Sequence, residues 1–165
     1  MKLLALDVSE KSTGWFLSKR SCGRIQPDPK LSFDERLVAF REQLAVLLEK
    51  YKPTLVVIED VYLRWNVQTF KQLSMLQGVA RELATEMGIQ VATLTATQAR
   101  KYCCGPQEGK FKKPEVFAFI VQKYGFSDFD FDSHNDITDA AALLLGYKNK
   151  LRGADVKNST KKKRK

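Results

Sequence analysis

The sequence is poor in the residues that build disulfide-stapled or zinc-bound folds. It holds three cysteines and one histidine among 165 residues. An odd number of cysteines, two of them adjacent at Cys103 and Cys104, favours reduced thiols over a disulfide framework. Zinc sites typically use C-x-x-C spacing, which is absent here. The adjacent cysteines and the distant His134 therefore do not predict a zinc centre.

The chain also lacks long apolar runs. No stretch approaches the roughly 20 apolar residues that a membrane-spanning helix needs. The N-terminal residues do not show the charged-then-apolar pattern of a secretion signal. These absences argue against a membrane partner, and we expect a cytoplasmic protein.

The chain has fewer acidic than basic residues. The chain has 28 Lys and Arg against 19 Asp and Glu, a net charge of +9. Six of the basic residues lie in Lys157–Lys165, a stretch without apolar side chains, which leaves 22 basic against 19 acidic residues elsewhere. We therefore predict a folded domain over residues 1–150 and a basic, disordered tail over 151–165. The excess charge favours a polyanionic partner such as nucleic acid.

What the chain does contain is an alternation of apolar runs and helical patterns. Leu3–Leu6 is continuously apolar, and Thr54–Glu59 is apolar between its first and last residues, as in strands buried on both faces. The order is three strands, a helix, a strand, a helix, a strand and then further helices. This order predicts an α/β domain in which a mixed five-stranded sheet is flanked by helices.

Local signals place three of the helices. Ser32 and Glu35 form a capping-box pattern that opens the first helix. The second helix is expected over Val67–Met87. Ser133 resembles the cap of a final helix over Asp136–Asn149.

Four carboxylates fall at the ends of these elements. Asp7 and Glu59 end two apolar strands, and Asp136 and Asp139 are one helical turn apart, so they share a face of the final helix. Any one of these acids alone is more commonly a helix cap or a solvated surface charge. Their joint placement favours an oxygen-rich pocket for Mg²⁺ or Mn²⁺. Two such ions about 4 Å apart catalyse phosphodiester hydrolysis without a nucleophilic side chain.

Three motifs carry a family resemblance: LALDVSEKSTGW, VVIEDVY and NDITDAAALLLGY. In order and spacing they resemble the RuvC-type Holliday junction resolvases of the ribonuclease H-like superfamily, from Met1 to about Lys150. A phage or viral relative is the expected source, which would place the protein in the host cytoplasm. The resemblance implies a ribonuclease H-like fold and the resolution of four-way DNA junctions by paired nicks.

The resemblance also implies roles for individual residues. Asp7, Glu59, Asp136 and Asp139 would bind two Mg²⁺ or Mn²⁺ ions in each active site. His134 lies two residues before the usual closing acid, so whether it or Asp136 is the fourth ligand stays open. The remaining implied roles are a stacking contact with a base for Tyr62, catalytic contacts near the scissile phosphate for Arg100 and Lys113, and DNA backbone contacts for Lys110 and Lys112.

Two of these expectations have simple alternatives. Tyr62 could instead pack in the core at the start of the second helix, and at least one of the four basic residues could belong to a solvated charged loop.

The family acts as a homodimer through the helix predicted over Val67–Met87. Candidate interface residues on that helix are Phe70, Leu73, Gln77 and Arg81.

Two other functions fit the same residues. A broader nuclease of the superfamily that cuts flaps and other branched DNA would share the metal site. A non-catalytic protein that binds junctions would use the four acids only structurally. An actin-like kinase also has an acidic first strand, but this chain lacks the second domain that such a kinase needs.

Overall fold

The computed structural model describes residues 1–62, 66–105 and 111–162, with side chains described as far as residue 153. In these ranges five strands form one sheet: β1 (Leu3–Asp7), β2 (Thr13–Ser18), β3 (Ser21–Ile25), β4 (Leu55–Glu59) and β5 (Gln90–Leu94). The strand order is β3-β2-β1-β4-β5. Strands β1, β4 and β5 run parallel, whereas β2 is antiparallel to both β1 and β3. The expected mixed five-stranded sheet is confirmed.

The same ranges contain five helices: α1 (Phe33–Tyr51), α2 (Val67–Glu86), α3 (Ala96–Cys104), α4 (Lys113–Tyr124) and α5 (Phe131–Lys162). The predicted capping box opens α1, because the Ser32 N–H donates to Glu35 Oε2 at 2.8 Å and the Glu35 N–H donates to Ser32 Oγ at 3.3 Å. Among the described residues, no helix is long and apolar enough to cross a membrane.

The apolar residues of β1 belong to the hydrophobic layers on both faces of the sheet. Successive residues of a strand point to opposite sides. Leu4 and Leu6 therefore pack with α1 and α2, while Leu3 and Ala5 pack with α3, α4 and α5. All four side chains are buried. Burial of each leucine contributes about 1.5–3 kcal/mol, so this run ties the three layers together.

The start of α5 differs from the expected position. We expected Ser133 to cap a helix beginning near Asp136, but the helix begins at Phe131. The Ser133 N–H donates to Asp130 Oδ1 at 2.8 Å. Asp130 is therefore the cap, because its carboxylate accepts from a free N–H of the first helical turn. The Phe131 ring also packs edge-on against Phe117 of α4, with centroids 5.4 Å apart. The cap and the ring contact together move the start of the helix five residues toward the N-terminus.

The end of α5 also lies beyond the expected Asn149. The Asn149 Nδ2 donates to the carbonyl of Tyr102 at 2.8 Å, so this residue joins α5 to α3 rather than ending the helix. The backbone of α5 continues to Lys162 and thus enters the 151–165 segment. The assignment of that segment to a tail outside the domain stays a prediction.

Helices α3 and α5 meet at a glycine. A Cβ on Gly146 would lie 2.6 Å from the carbonyl oxygen of Ala99, whereas a Cβ on Gly78 of α2 would meet nothing within 4 Å. Gly146→Ala should therefore lower the melting temperature despite its better helix propensity, because overpacking costs about 1–3 kcal/mol. Gly78→Ala is the matched control and should stabilise the protein by up to about 1 kcal/mol.

Thermal unfolding followed by circular dichroism measures both variants. A Gly146→Ala protein as stable as Gly78→Ala would contradict the close contact between α3 and α5.

Candidate active site

Two of the four acids, Asp7 and Glu59, are the last residues of neighbouring strands. Leu6 of β1 pairs in parallel with Ile58 of β4, and Asp7 and Glu59 are the next residues of these strands. In a parallel sheet the carboxyl ends of neighbouring strands meet at one edge. The sequence-based expectation that Asp7 and Glu59 lie together at this edge agrees with the register.

Asp136 and Asp139 lie on α5, which can pack closely against β2 because β2 has a glycine, Gly14, at the point of contact. Gly14 pairs with Asp7 across β1 and β2. A Cβ on Gly14 would overlap the main-chain carbonyl of Asp136. Only glycine lets the helix backbone approach this strand so closely. The part of α5 that carries Asp136 and Asp139 is thereby brought to the end of β1.

The charges around Asp7 oppose its ionisation. The carboxylate keeps part of its surface open to a cleft, but desolvation and repulsion from Asp139, Glu59 and Asp136 raise its pKa well above the ordinary value, and Lys113 opposes them. All four acids therefore interact electrostatically at one place. The arrangement holds more negative charge than its own cation balances.

Lys113 forms an ion pair with the acidic cluster. Its Nζ lies 2.7 Å from Asp139 Oδ2, and its side chain is half exposed. Burial disfavours the charged form, but Asp139, Asp7 and Glu59 outweigh it and raise the pKa of Lys113. Lys113 opens α4, whose Pro114 suits the first turn of a helix. The fold thus delivers one ammonium group to the acidic cluster.

An open cleft of about 630 Å³ connects the cluster to the surrounding surface. Glu59 and Arg100 line it together with Asp7 and Lys113. The Arg100 Nη1 donates to the carbonyl of Phe111 at 3.3 Å, which holds the guanidinium at the wall of the cleft. A polyanionic chain entering the cleft would meet both cations beside the acids.

A family model identifies the chain. The model described as crossover junction endodeoxyribonuclease RuvC matches residues 8–146. The chain belongs to the RuvC family. This match confirms the resemblance expected from the three motifs, and it spans every one of the four acids except Asp7, which lies one residue before it.

Individual RuvC proteins are similar to this chain over most of its length. The crossover junction endodeoxyribonuclease RuvC of Trichlorobacter lovleyi is 26% identical over 157 residues, which cover 90% of this chain and 85% of that protein. The RuvC of Pelobacter propionicus is 29% identical over 153 residues, covering 88% and 84%.

Solved structures share the fold. The Thermus thermophilus RuvC in complex with a Holliday junction substrate superimposes with a TM-score of 0.78 at 17% identity, covering 92% of this chain and 95% of that one. The yeast mitochondrial Holliday junction resolvase Ydc2 superimposes with a TM-score of 0.66 at 13% identity, covering 90% and 78%. The expected ribonuclease H-like fold is confirmed, and the phage or viral origin stays a prediction.

The remaining residues that the RuvC resemblance singled out lie in different places. Tyr62 is 79% exposed at the mouth of the cleft, so the alternative that it packs in the core is wrong. Lys112 precedes α4, where its N–H donates to Glu115 Oε2 at 2.8 Å and its side chain is exposed. Lys110 lies outside the described residues.

His134 is engaged away from the acidic cluster. Its Nδ1 lies 3.1 Å from Asp130 Oδ2, and its ring stacks on Phe129 with centroids 4.3 Å apart. The Asp136 carboxylate is close enough to Asp7 to raise its pKa, whereas His134 pairs with Asp130. Of the two candidates for the fourth ligand, the structure brings Asp136 to the site.

Two residues of the site escaped the sequence reasoning. The Ser12 Oγ donates to Asp136 Oδ2, and the Gln77 Nε2 of α2 donates to the main-chain carbonyl of Glu59. Gln77 is buried, so it is not free to form the dimer contact that we expected of it. No periodicity or motif indicates either bond, because each joins segments that are far apart in the chain.

The donor set fits a hard divalent cation, since it consists of carboxylate oxygens beside a cleft open to water. Among the described residues, no three acidic, histidine or cysteine side chains converge as a ready coordination group. The ion pair between Lys113 and Asp139 occupies one of these oxygens instead. The cluster is therefore chemically suited to a metal, with Lys113 balancing part of its charge.

The raised pKa of Asp7 predicts an effect on stability. Its folded-state pKa exceeds that of the unfolded chain, so the folded state binds more protons and loses stability as the pH rises between the two values. Asp7→Asn should therefore raise the melting temperature in EDTA at pH 8, by about 2–4 °C for each kcal/mol relieved. The gain should shrink toward pH 4.

Differential scanning fluorimetry across this pH range checks the prediction. Glu42→Gln, an exposed position on α1, is the control and should show no such pH dependence. A stability difference between Asp7→Asn and wild type that is constant with pH would contradict the assigned ionisation.

Proposed function

We propose that this chain is a metal-dependent endonuclease that resolves four-way DNA junctions by paired nicks. The observation that carries the proposal is the meeting of Asp7, Glu59 and Asp139 with Lys113 beside one open cleft. Membership of the RuvC family supports the substrate class. The name of the Thermus thermophilus neighbour, RuvC in complex with a Holliday junction substrate, supports it as well.

Asp7, Glu59, Asp136 and Asp139 would hold Mg²⁺ or Mn²⁺, two ions in each site. The chemistry supplied by such a pair is activation of water and stabilisation of the departing 3′ oxygen. Asp139 becomes available when Lys113 turns from it toward a phosphate in the cleft. The half-exposed side chain of Lys113 leaves room for this movement.

The basic residues and Tyr62 would position the DNA. Arg100 and Lys113 contact the backbone near the scissile phosphate, and Lys110 and Lys112 extend these contacts. Tyr62 stacks on a base at the centre of the junction. The 151–165 segment adds sequence-independent attraction to DNA that weakens with salt.

Two sites are needed for paired nicks, so the active species is a homodimer formed through α2. Val67 and Met75, two helical turns apart on this helix, are 56% and 51% exposed. Exposed apolar side chains on one face of a helix are typical of a contact surface. Phe70 and Leu73, two other candidate interface residues, line the cleft instead.

Removal of one carboxylate tests the site. Asp139→Asn should retain junction binding, because the basic residues remain, but lose cleavage by more than about 100-fold. Residues that only orient a metal ligand typically contribute about 10–100-fold to metal affinity or activity. Loss of a ligand itself should cost at least as much. The measurement is cleavage of a labelled four-way junction with Mg²⁺ or with EDTA, and Glu42→Gln should match wild type.

The same assay separates the alternatives. Symmetric nicks in opposite strands of the junction support resolution, whereas equal cutting of flaps and linear duplexes indicates a broader nuclease. Binding without cleavage at any metal concentration indicates an architectural protein. Wild-type rates in Asp139→Asn would contradict the carboxylate site.

The exposure of Tyr62 generates a separate prediction. Base–aromatic stacking is worth about 1–3 kcal/mol. Tyr62→Ala should therefore slow single-turnover junction cleavage by about 5- to 150-fold, with an unchanged melting temperature. Tyr62→Phe keeps the ring and should cleave nearly as fast as wild type. Equal rates for the alanine and phenylalanine variants would rule out stacking.

A further inference from the structure

The turn between β1 and β2 contains a network of hydroxyl groups that ends on Asp136. The Ser9 Oγ donates to the carbonyl of Ser12 at 2.6 Å, and the Ser12 N–H donates back to Ser9 Oγ at 3.2 Å. These two bonds close the turn. The Ser12 Oγ, carried on this closed turn, donates to Asp136 Oδ2.

The turn is also anchored at other points. The Ser9 N–H donates to Thr13 Oγ1 at 3.3 Å, and Thr13 is buried at the start of β2. Glu10 forms an ion pair of 2.6 Å with Arg36 of α1. Both partners of the pair are largely shielded from solvent, which strengthens it relative to an exposed pair. The position of the Ser12 hydroxyl is therefore fixed by the fold.

The backbone of Asp136 is held without any help from Ser12. The main chain of α5 rests on Gly14. The Arg24 Nη1 of β3 donates to the carbonyl of Ser133 at 2.7 Å, one turn before Asp136. These contacts fix where the helix lies but not how the Asp136 side chain is turned. The bond from Ser12 supplies that remaining constraint.

We infer that Ser12 is a positioning residue for the metal site of the proposed nuclease. Its hydroxyl holds one carboxylate oxygen of Asp136, so that the other oxygen is presented to a divalent cation. The inference rests on the proposed function. A ligand whose orientation is set in advance loses less conformational freedom when the cation binds, and partners of this kind contribute about 10–100-fold to metal affinity.

The prediction concerns Mn²⁺ binding to the full-length protein without DNA, measured by isothermal titration calorimetry. Ser12→Ala should weaken Mn²⁺ binding by about 10-fold or more. Ser12→Thr keeps the hydroxyl and should recover most of the affinity. Ser74→Ala is the matched control, because the Ser74 hydroxyl donates to the carbonyl of Phe70 within its own helix, α2. It should bind Mn²⁺ like wild type.

Cleavage kinetics and stability give further readouts. A defect in metal affinity predicts that saturating Mn²⁺ restores the Ser12→Ala cleavage rate toward that of wild type. The metal-free melting temperature of Ser12→Ala should stay close to that of wild type, because the backbone contacts of α5 remain.

Equal Mn²⁺ affinities for wild type and Ser12→Ala would overturn the inference. A loss of affinity that Ser12→Thr does not restore, together with a lower metal-free melting temperature, would assign Ser12 a structural role and also overturn it. A wild-type protein that binds no Mn²⁺ would overturn the proposed function itself, so the two failures are distinguishable.

Discussion

Repulsion among four carboxylates at one edge of the sheet is the constraint around which the structure is arranged. Burial and the neighbouring like charges both disfavour the ionised form of Asp7 and raise its pKa, which costs stability. The fold offsets it with the ammonium group of Lys113 and with hydrogen bonds that fix where the acids point. The stability comes from elsewhere, chiefly from the apolar layers on both faces of β1.

Helix α5 links the apolar core to the charged site. Ala140, Ala141 and Ala142 are buried against the sheet, and their small side chains let the helix lie close to β1 and β2. The same helix carries Asp139 directly before these alanines and Asp136 one turn before Ala140. One helix therefore supplies both the packing that stabilises the centre of the domain and two of the carboxylates that repel each other at the edge of the sheet. Its position cannot change without affecting both.

The sequence predicts the parts of this arrangement that depend on local patterns. The strand ends at Asp7 and Glu59 follow from continuous apolar runs, and the sheet follows from the order of the elements. The bond from Ser12 to Asp136 joins residues 124 positions apart. Such pairing depends on tertiary packing, and no local pattern encodes it. The cap formed by Asp130 is local, because Asp130 accepts from the Ser133 N–H three residues later, but the sequence offers Ser133 as a competing cap, and the contact of Phe131 with Phe117 that accompanies the earlier start is tertiary.

The contact of Gly14 with Asp136 also has a consequence for the order in which the site can be made. Asp7 and Glu59 leave the ribosome early, whereas Asp136 and Asp139 are among the later residues to be synthesised. A nascent chain that has not yet reached residue 136 holds only Asp7 and Glu59 of the four acids, and the part of α5 that packs on Gly14 of β2 is not yet made. The carboxylate cluster is therefore completed only after most of the domain has emerged from the ribosome.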